Sequence, residues 1–390
     1  MYKQMIYDLL KLLEDNHLDC YFNISKDDTL KYIEHLLSEN ELNDEYDFYY
    51  LGNKLIKKMF SVYDSHTKLI FKESNNLPIR LKYIDNKVYI IRTDENNKDL
   101  LYGEVLKIND ILVSKLISEI INMTAYSTQE FLRMPIEVSL RTIEKLKSLP
   151  SIDNDSDEFN FEVELNDQII NRTLKKQEKD LLPINKCEKN YSMDVLGDAI
   201  HIVYNVCKEE YSGQMKEFVK ELKDCSISNS INKFIVDLRG NTGGNSDIFD
   251  ELVEFLNGKD VITLVDEFVF SGGRWALVDL NIIGSKFVGT GIGTALNCFG
   301  NVSRFEKGNF ILPISNKYFY YENNKLGTIK DKNILNEIKN SNKELFEPII
   351  FKPDYYVENS IEDIKNEYDR QLHSAEMLIN NKLDDKHFKR

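Results

Sequence analysis

The sequence predicts an α/β protein with a helical N-terminal segment, a β-rich middle region and an α/β core in its second half. Three observations predict this fold class. Apolar residues recur at helical spacing through the first 60 or so residues, β-rich runs follow, and apolar strands alternate with helices in the second half. Such alternation implies βαβ units and a largely parallel sheet. At about 150 residues per domain, 390 residues predict two or three domains.

The N-terminal segment reads as three helices. The first has one apolar stripe at i, i+3, i+4 and i+7, formed by Ile6, Leu9, Leu10 and Leu13. A second helix begins at the cluster SKDD (25–28). A third carries apolar residues from Leu51 to Val62 and runs directly into the segment DSHT (64–67).

The middle region reads as short strands joined by tight turns. PIRLKYI (78–84) and KVYIIRT (87–93) flank the turn Asp85-Asn86, and a further strand meets a short helix after the turn Asn109-Asp110. The polar stretch SIDNDSDE (151–158) is the best linker candidate. After it, alternating apolar residues from Phe159 to Leu165 predict a half-buried strand, with IINRTL as its hairpin partner.

The second half reads as alternating strands and helices. Its strands are AIHIVYNV (199–206), KFIVDLR (233–239), VITLVDEFVF (261–270) and KFVGT (286–290). Near the end, Ser360 opens a helix with a capping box, and Ile361, Ile364, Tyr368 and Leu372 are expected to face inward. We therefore divide the chain into 1–75, 76–150, the linker and hairpin 151–189, and the core 190–380.

Charge and composition exclude several classes of protein. The chain has 50 basic and 65 acidic residues, a net charge of −15, so nucleic-acid binding would need a local basic patch, and none is found. No run of about 18 apolar residues predicts a membrane span. The cysteine count is odd and no C-x-x-C pair occurs, which predicts reduced thiols in the cytoplasm; the cysteines are Cys20, Cys187, Cys207, Cys225 and Cys298.

The segment DSHT carries the most informative of six histidines. Most of the others look like helix-surface or strand-packing residues, whereas His66 lies at a helix-to-strand junction among small polar residues. Asp64, Ser65 and Thr67 are candidate groups to fix its tautomer, as a general base requires. A structural histidine remains the alternative.

Two glycine-containing segments follow predicted strands. The loop GNTGG (240–244) can present backbone N–H groups to an anion, or it can be a tight turn that needs glycine. Ser271 precedes Gly272 and Gly273 at the start of a helix, where a serine is either an N-cap or a hydroxyl exposed at the carboxyl end of the sheet. In the second case the N–H of Gly272 is available as an oxyanion donor. VGTGIGTA (288–295) lacks a following helix, which disfavours a nucleotide site.

Together these segments resemble the tricorn-type and carboxyl-terminal-processing serine peptidases, the tail-specific protease superfamily. DSHT resembles their D-x-H-T signature, VDLRGNTGG their D-x-R-x-N-x-G-G segment, and FSGG their nucleophile segment. The tail from Glu347 to Leu372 resembles their P-D-x-x-V ending. The resemblance covers about 190–380 and 60–71, and it implies a crotonase-like (ClpP/crotonase-type) peptidase core.

The resemblance also implies roles for particular residues. Ser271 corresponds to the nucleophile and His66 to the general base. In the tricorn branch a tetrad completes the site, with Ser65 and Glu347 at the matching positions. Gly272 and Gly244 correspond to the oxyanion donors. The chemistry needs no metal or organic cofactor, and it predicts an endopeptidase acting on peptides or unfolded protein segments.

Two departures bear on this interpretation. The processing branch places a lysine about 25 residues after the serine, where this chain has Leu296, so the tetrad branch is favoured. An acidic residue often stands three positions after the nucleophile, where this chain has Arg274. Arg274 supports the alternative of a catalytically inactive peptide-binding scaffold with the same fold.

The segment KIND (107–110) resembles the end of a PDZ-like module without its usual glycine. The family resemblance also makes assembly into a homo-oligomer possible.

Overall fold

A computed structural model describes residues 2–153, 155–176, 181, 189–210 and 214–382. The chain forms two units. The first comprises Met1–Leu182, Asn297–Phe319 and Thr328–Pro348; the second comprises Pro183–Leu296, Tyr320–Gly327 and Ile349–Arg390.

Three helices open the first unit, as the sequence predicts. They are α1 (Tyr2–Asn16), α2 (Lys26–Glu39) and α3 (Glu45–Phe60). The predicted apolar stripe of α1 is buried. Ser25 caps α2 by accepting a hydrogen bond from the Asp28 N–H. α3 ends two residues before Val62, so a short turn separates it from DSHT.

An antiparallel sheet forms the middle of the first unit. Its strands are β2 (Ile79–Ile84), β3 (Lys87–Thr93), β4 (Glu104–Ile108), β5 (Ile111–Leu112), β6 (Glu158–Leu165) and β7 (Gln168–Lys175). Their order is β2-β3-β4-β6-β7, with β5 beside β4. Both residues of each predicted turn, Asp85-Asn86 and Asn109-Asp110, have positive φ, as tight two-residue hairpin turns require.

Three helices connect β5 to β6, and they are α4 (Val113–Met123), α5 (Arg133–Ser139) and α6 (Ile143–Lys147). The described residues of the linker candidate, 151–153 and 155–157, lie between α6 and β6, and Glu158 is the first residue of β6; Asn154 lies outside the described residues. Because β6 pairs with β4, the hairpin of β6 and β7 belongs to the same sheet as the strands before it.

A further sheet has the order β1-β14-β13, with β15 beside β14. Its strands are β1 (Ile70–Phe71), β13 (Cys298–Lys307), β14 (Phe310–Glu322) and β15 (Lys325–Ile329), and α10 (Lys332–Ser341) follows them. The tip of the β14–β15 hairpin, 320–327, belongs to the second unit.

The second unit contains a six-stranded sheet of order β16-β12-β11-β10-β9-β8. Its strands are β8 (Tyr191–Leu196), β9 (Ala199–Tyr204), β10 (Lys233–Asp237), β11 (Asp260–Val265), β12 (Lys286–Gly289) and β16 (Tyr355–Tyr356). Only the β8–β9 pairing is antiparallel, so the predicted parallel sheet is confirmed. Its helices are α7 (Met215–Asn229), α8 (Asp250–Leu256), α9 (Gly273–Ile282), α11 (Ile361–Lys365) and α12 (Arg370–Ile379).

Two details of the second unit differ from expectation. β11 ends at Val265, because the Asp266 carboxylate accepts hydrogen bonds from the N–H groups of Phe268 and Gly240 and turns the chain away from the sheet. The predicted C-terminal helix ends at Lys365, so Tyr368 lies in the following turn and is exposed rather than inward-facing. In the described part of the chain, no helix combines the length and apolar character needed to cross a bilayer.

Candidate active site

The candidate residues belong to both units. Ser65, His66 and Glu347 lie in the first, and Ser271, Gly272 and Gly244 lie in the second.

In the first unit, the carboxylate of Asp64 organises the DSHT loop. Its Oδ1 accepts hydrogen bonds from the backbone N–H groups of His66, at 2.7 Å, and Thr67, at 3.1 Å. Its Oδ2 accepts the Thr67 hydroxyl at 2.5 Å, and that hydroxyl accepts the N–H of Ser315 on β14. The loop that carries His66 is therefore fixed from within and tied to a strand.

His17, which follows α1, also contacts the Asp64 carboxylate. Its Nε2 lies 3.2 Å from Asp64 Oδ2, and its Nδ1 accepts the N–H of Asp19 at 3.1 Å. Because Nδ1 accepts a hydrogen bond, the proton sits on Nε2 and is donated to Asp64. Burial alone would raise the pKa of Asp64, but the contacts with His17, His66 and Thr67 outweigh it and lower the pKa to about 2.

The ring of His66 is almost completely buried, at 9% exposure. Its Nδ1 lies 3.9 Å from Asp64 Oδ1, which is beyond hydrogen-bond distance but close enough for the carboxylate to stabilise a positive charge on the ring. Gly300 on β13 leaves room for it, since a Cβ at Gly300 would lie 3.3 Å from His66 Cε1.

Ser65 and Glu347 are not hydrogen-bonded to each other. The Ser65 hydroxyl is buried and has no hydrogen-bond partner among the described residues. Glu347 is exposed, and its carboxylate lies close enough to Tyr63 to raise the pKa of that phenol, although burial of the phenol contributes more. The structure therefore holds no hydrogen-bonded relay from Glu347 through Ser65.

In the second unit, Ser271 occupies a strained turn between β11 and α9. Its φ is +49°, a conformation that non-glycine residues adopt rarely and that clusters at functional sites. The N-cap of α9 is Gly272 rather than Ser271, and the Ser271 hydroxyl makes no hydrogen bond within the described part of the chain. The N-cap interpretation of this serine is therefore wrong.

The glycine loop lies directly against this turn. β10 and β11 are parallel neighbours, so the loops that follow them leave the same edge of the sheet. A Cβ at Gly272 would lie 2.8 Å from the nitrogen of Gly244, and one at Gly243 would lie 2.8 Å from Ser271 Cβ. Among the described residues, the N–H groups of Gly272 and Gly244 donate no hydrogen bond. The structure thus brings Ser271, Gly272 and Gly244 together.

Asn241 fixes the glycine loop in this position. Its side-chain amide donates to the carbonyl of Tyr204, its side-chain oxygen accepts the N–H of Gly243, and its carbonyl accepts the N–H of Phe270. One residue therefore joins β9, the glycine loop and the segment before Ser271.

The aspartate and arginine of VDLRGN form a buried ion-pair network. The Arg239 guanidinium bonds both oxygens of Asp237 and both oxygens of Asp369, which is the N-cap of α12. Such bidentate ion pairs fix the relative orientation of the side chains as well as pairing their charges. Asp237 and Arg239 therefore fix the end of β10, from which the glycine loop follows, to the start of α12.

Arg274 points away from solvent and has a structural contact. It is 1% exposed, and its guanidinium donates a hydrogen bond to the carbonyl of Ala295 at 3.0 Å. The residue therefore ties α9 to the loop after β12.

Residues 200–269 match the family model of peptidase family S41. The matched segment runs from β9 through the glycine loop to within two residues of Ser271. This match lies in the α/β core and is to the family that the sequence resemblance implies. The predicted tail-specific protease family and serine peptidase class are thereby confirmed. No curated protein sequence matches this chain significantly.

Among solved structures, this chain is similar to mature CPAF complexed with lactacystin. The two sequences are 13% identical, the match covers 97% of this chain and 99% of that chain, and the TM-score is 0.64. The photosystem II D1 C-terminal processing protease matches at 8% identity over 92% and 93% of the two chains, with a TM-score of 0.44. The tricorn protease matches at 12% identity over 97% of this chain and 36% of that chain, with a TM-score of 0.44. The likeness to mature CPAF confirms the α/β fold class with its helical N-terminal segment.

Sequence reasoning missed His17. The sequence placed His17 among the histidines expected at helix surfaces or in strand packing, but His17 is buried and hydrogen-bonded to Asp64. The one local signal is its place at the end of α1, in a segment, HLDCYF (17–22), that contains no helix pattern.

Proposed function

We propose that the chain is a serine endopeptidase that cleaves peptides or unfolded protein segments through an acyl-enzyme on Ser271. One observation carries the proposal. Gly272 and Gly244, whose N–H groups donate no hydrogen bond among the described residues, pack against each other beside a strained serine whose hydroxyl has no partner among those residues. Such a pair of free donors beside a nucleophile suits the oxyanion of a tetrahedral intermediate.

In the proposed reaction, Ser271 Oγ attacks the scissile carbonyl while His66 takes its proton. The N–H groups of Gly272 and Gly244 stabilise the oxyanion. His66 then protonates the leaving amine, and a water molecule, activated by His66, hydrolyses the acyl-enzyme.

The surroundings of His66 support its role as the general base. Asp64 binds the backbone of the His66 loop and places negative charge 3.9 Å from Nδ1, which favours the protonated imidazole that forms during attack. His17 in turn holds Asp64 in its ionised form. Asp64 and His17 therefore act as positioning residues in this proposal.

Ser65 and Glu347 enter the proposal through the family resemblance, which assigns them to the tetrad of the tricorn branch. The crotonase-like architecture of the core rests on the same resemblance. Asp64 places a carboxylate 3.9 Å from His66 Nδ1, and the tetrad requires Glu347 to reach Ser65 during the reaction.

The alternative is a catalytically inactive peptide-binding scaffold with the same fold. It rests on Arg274 standing where the family often has an acidic residue; the Arg274 side chain is buried and bonded to the Ala295 carbonyl. A cytoplasmic location remains a proposal from the cysteine pattern; the free thiols of the described residues are Cys20, Cys207, Cys225 and Cys298. A homo-oligomer likewise remains open.

Cleavage of an unfolded protein tests the proposal. Reduced, alkylated lactalbumin carrying a quenched fluorophore should be cut by the wild type and not by Ser271→Ala. Ser118→Ala is the matched control, because this serine is exposed on α4 and bonds only the Ser114 carbonyl. Equal cleavage by wild type and Ser271→Ala would contradict the proposal.

A further inference from the structure

A cavity of about 230 Å³ lies within the first unit, bordered by α3, β1, α4, α5 and α6. Most of its wall is apolar, including Ile56, Met123, Ala125, Phe131, Met134 and Val138. The same wall also contains two lysines, Lys68 and Lys145. An apolar cavity with two cationic side chains needs an explanation, because buried charges are normally paired.

Neither lysine forms an ion pair with a carboxylate among the described residues. Lys68 Nζ lies 5.7 Å from the centroid of the Phe131 ring, and the nearest carboxylate that acts on it, Asp64, is already bound by His17 and Thr67. Burial, and the positive charges of Lys68 and Arg141, lower the pKa of Lys145 to about 8. Both lysines are half-buried, and the described residues of the cavity wall offer no carboxylate to either ammonium group.

A third polar group in the cavity wall lacks a partner. Ser65 is 2% exposed, it lines the cavity, and its hydroxyl forms no hydrogen bond with the described residues. The hydroxyl of Thr67 and the amide of Asn53 also border the cavity, but both are engaged with neighbouring groups. Ser65, Lys68 and Lys145 are thus polar groups of the cavity wall with which a ligand could pair.

We propose that this cavity binds a carboxylate carried on a short apolar chain. The carboxylate would pair with the ammonium groups of Lys68 and Lys145 and accept the Ser65 hydroxyl, and the apolar chain would fill the space between Phe131, Met134 and their neighbours. A bare inorganic anion would leave that apolar wall without contacts. The site uses neither Ser271 nor His66, but it shares Ser65 with the proposed tetrad, so a carboxylate bound to the Ser65 hydroxyl should compete with that tetrad.

Calorimetric titration of the full chain with hexanoate tests the proposal. We expect saturable binding of hexanoate and none of hexanamide, which has the same chain without the charge. Lys145→Met and Lys68→Met should each weaken binding by about tenfold or more, since a charged hydrogen bond contributes about 1.5–3 kcal/mol. Lys115→Met, an exposed position on α4, is the matched control and should leave binding unchanged.

Two further measurements keep the proposal falsifiable. Without ligand, Lys145→Met should melt at or above the wild-type temperature, because it removes one of two neighbouring half-buried cations that repel each other. The peptide acetyl-Leu-Glu-amide, compared with its Gln counterpart, separates a peptide carboxylate from a free acid as the source of the ligand. Absence of binding by both hexanoate and the Glu peptide would overturn the proposal. Equal binding to the wild type and to both lysine variants would also overturn it.

Discussion

His17 Nε2 donates a hydrogen bond to Asp64 Oδ2 at 3.2 Å, and both side chains are completely buried. The His17 ring is held on its other side by the N–H of Asp19 and packs against Phe60 and Phe299. The bond joins the end of α1 to the loop that carries His66. A helix end distant in sequence therefore sets the charge and position of the carboxylate beside the candidate base.

Replacement of His17 should destabilise the chain. His17→Ala leaves a buried carboxylate without one donor and opens space beside Phe60, and losing a buried hydrogen-bond partner alone costs about 1–3 kcal/mol. Urea denaturation measures the free energy of unfolding. His35→Ala, on the exposed face of α2, is the control and should stay within about 0.5 kcal/mol of the wild type. A His17→Ala variant as stable as His35→Ala would contradict the account of this bond.

The lowered pKa of Asp64 predicts how the free energy of unfolding changes in acid. Its pKa is lowered to about 2 in the folded chain from an ordinary value of 3.8, so its stabilising contribution is fully present above about pH 4. The contribution is lost as the pH falls toward 2. The difference in unfolding free energy between wild type and Asp64→Asn should therefore shrink across that interval. A difference independent of pH from 5 to 2 would show that Asp64 does not titrate in this way.

Gly272→Ala should abolish the activity of Ser271 by disturbing the two donors. A Cβ at this position would lie 2.6 Å from the Gly244 carbonyl oxygen, so the glycine loop must move. Loss of one oxyanion donor typically lowers the rate by about 10²–10³-fold. Gly258→Ala is the control, because its Cβ meets nothing although its φ is +76°. Gly258→Ala should lose about 1 kcal/mol of stability and keep its activity. Urea denaturation measures the stability of each variant, and peptide hydrolysis measures its activity. A Gly272→Ala variant that remains active would count against the role of these two donors.

Glu347 tests the tetrad that the family resemblance implies. If Glu347 acts through Ser65, Glu347→Gln should lower the rate of Ser271 labelling by about tenfold or more, within the range that general-base assistance supplies. Glu344→Gln, also exposed and three residues earlier, should label as the wild type does. Unchanged labelling of Glu347→Gln would leave Asp64 as the carboxylate that supports His66.

The sequence was sufficient for the features that depend on local patterns. Hairpin turns such as Asp85-Asn86, the alternation of strand and helix after residue 190, and the segments around His66 and Ser271 all carry short-range signals. The His17–Asp64 bond spans 47 residues, and a single sequence holds no signal for such a pairing.

The burial of Arg274 was also beyond the sequence. An arginine in the first turn of a helix is ordinarily solvated, and its direction here depends on the hydrogen bond to the Ala295 carbonyl, 21 residues further on. The cavity around Lys145 likewise arises from α3, β1 and three later helices packing together. Both features are products of tertiary packing.

Labelling with a fluorophosphonate probe, followed by mass spectrometry of the modified peptide, measures whether His66 activates Ser271. The wild type should be labelled on Ser271, and labelling should disappear in Ser271→Ala and His66→Ala while Ser118→Ala and His35→Ala label normally. A folded wild type that stays unlabelled, or a label that persists in His66→Ala at the wild-type rate, would contradict an activated Ser271–His66 pair.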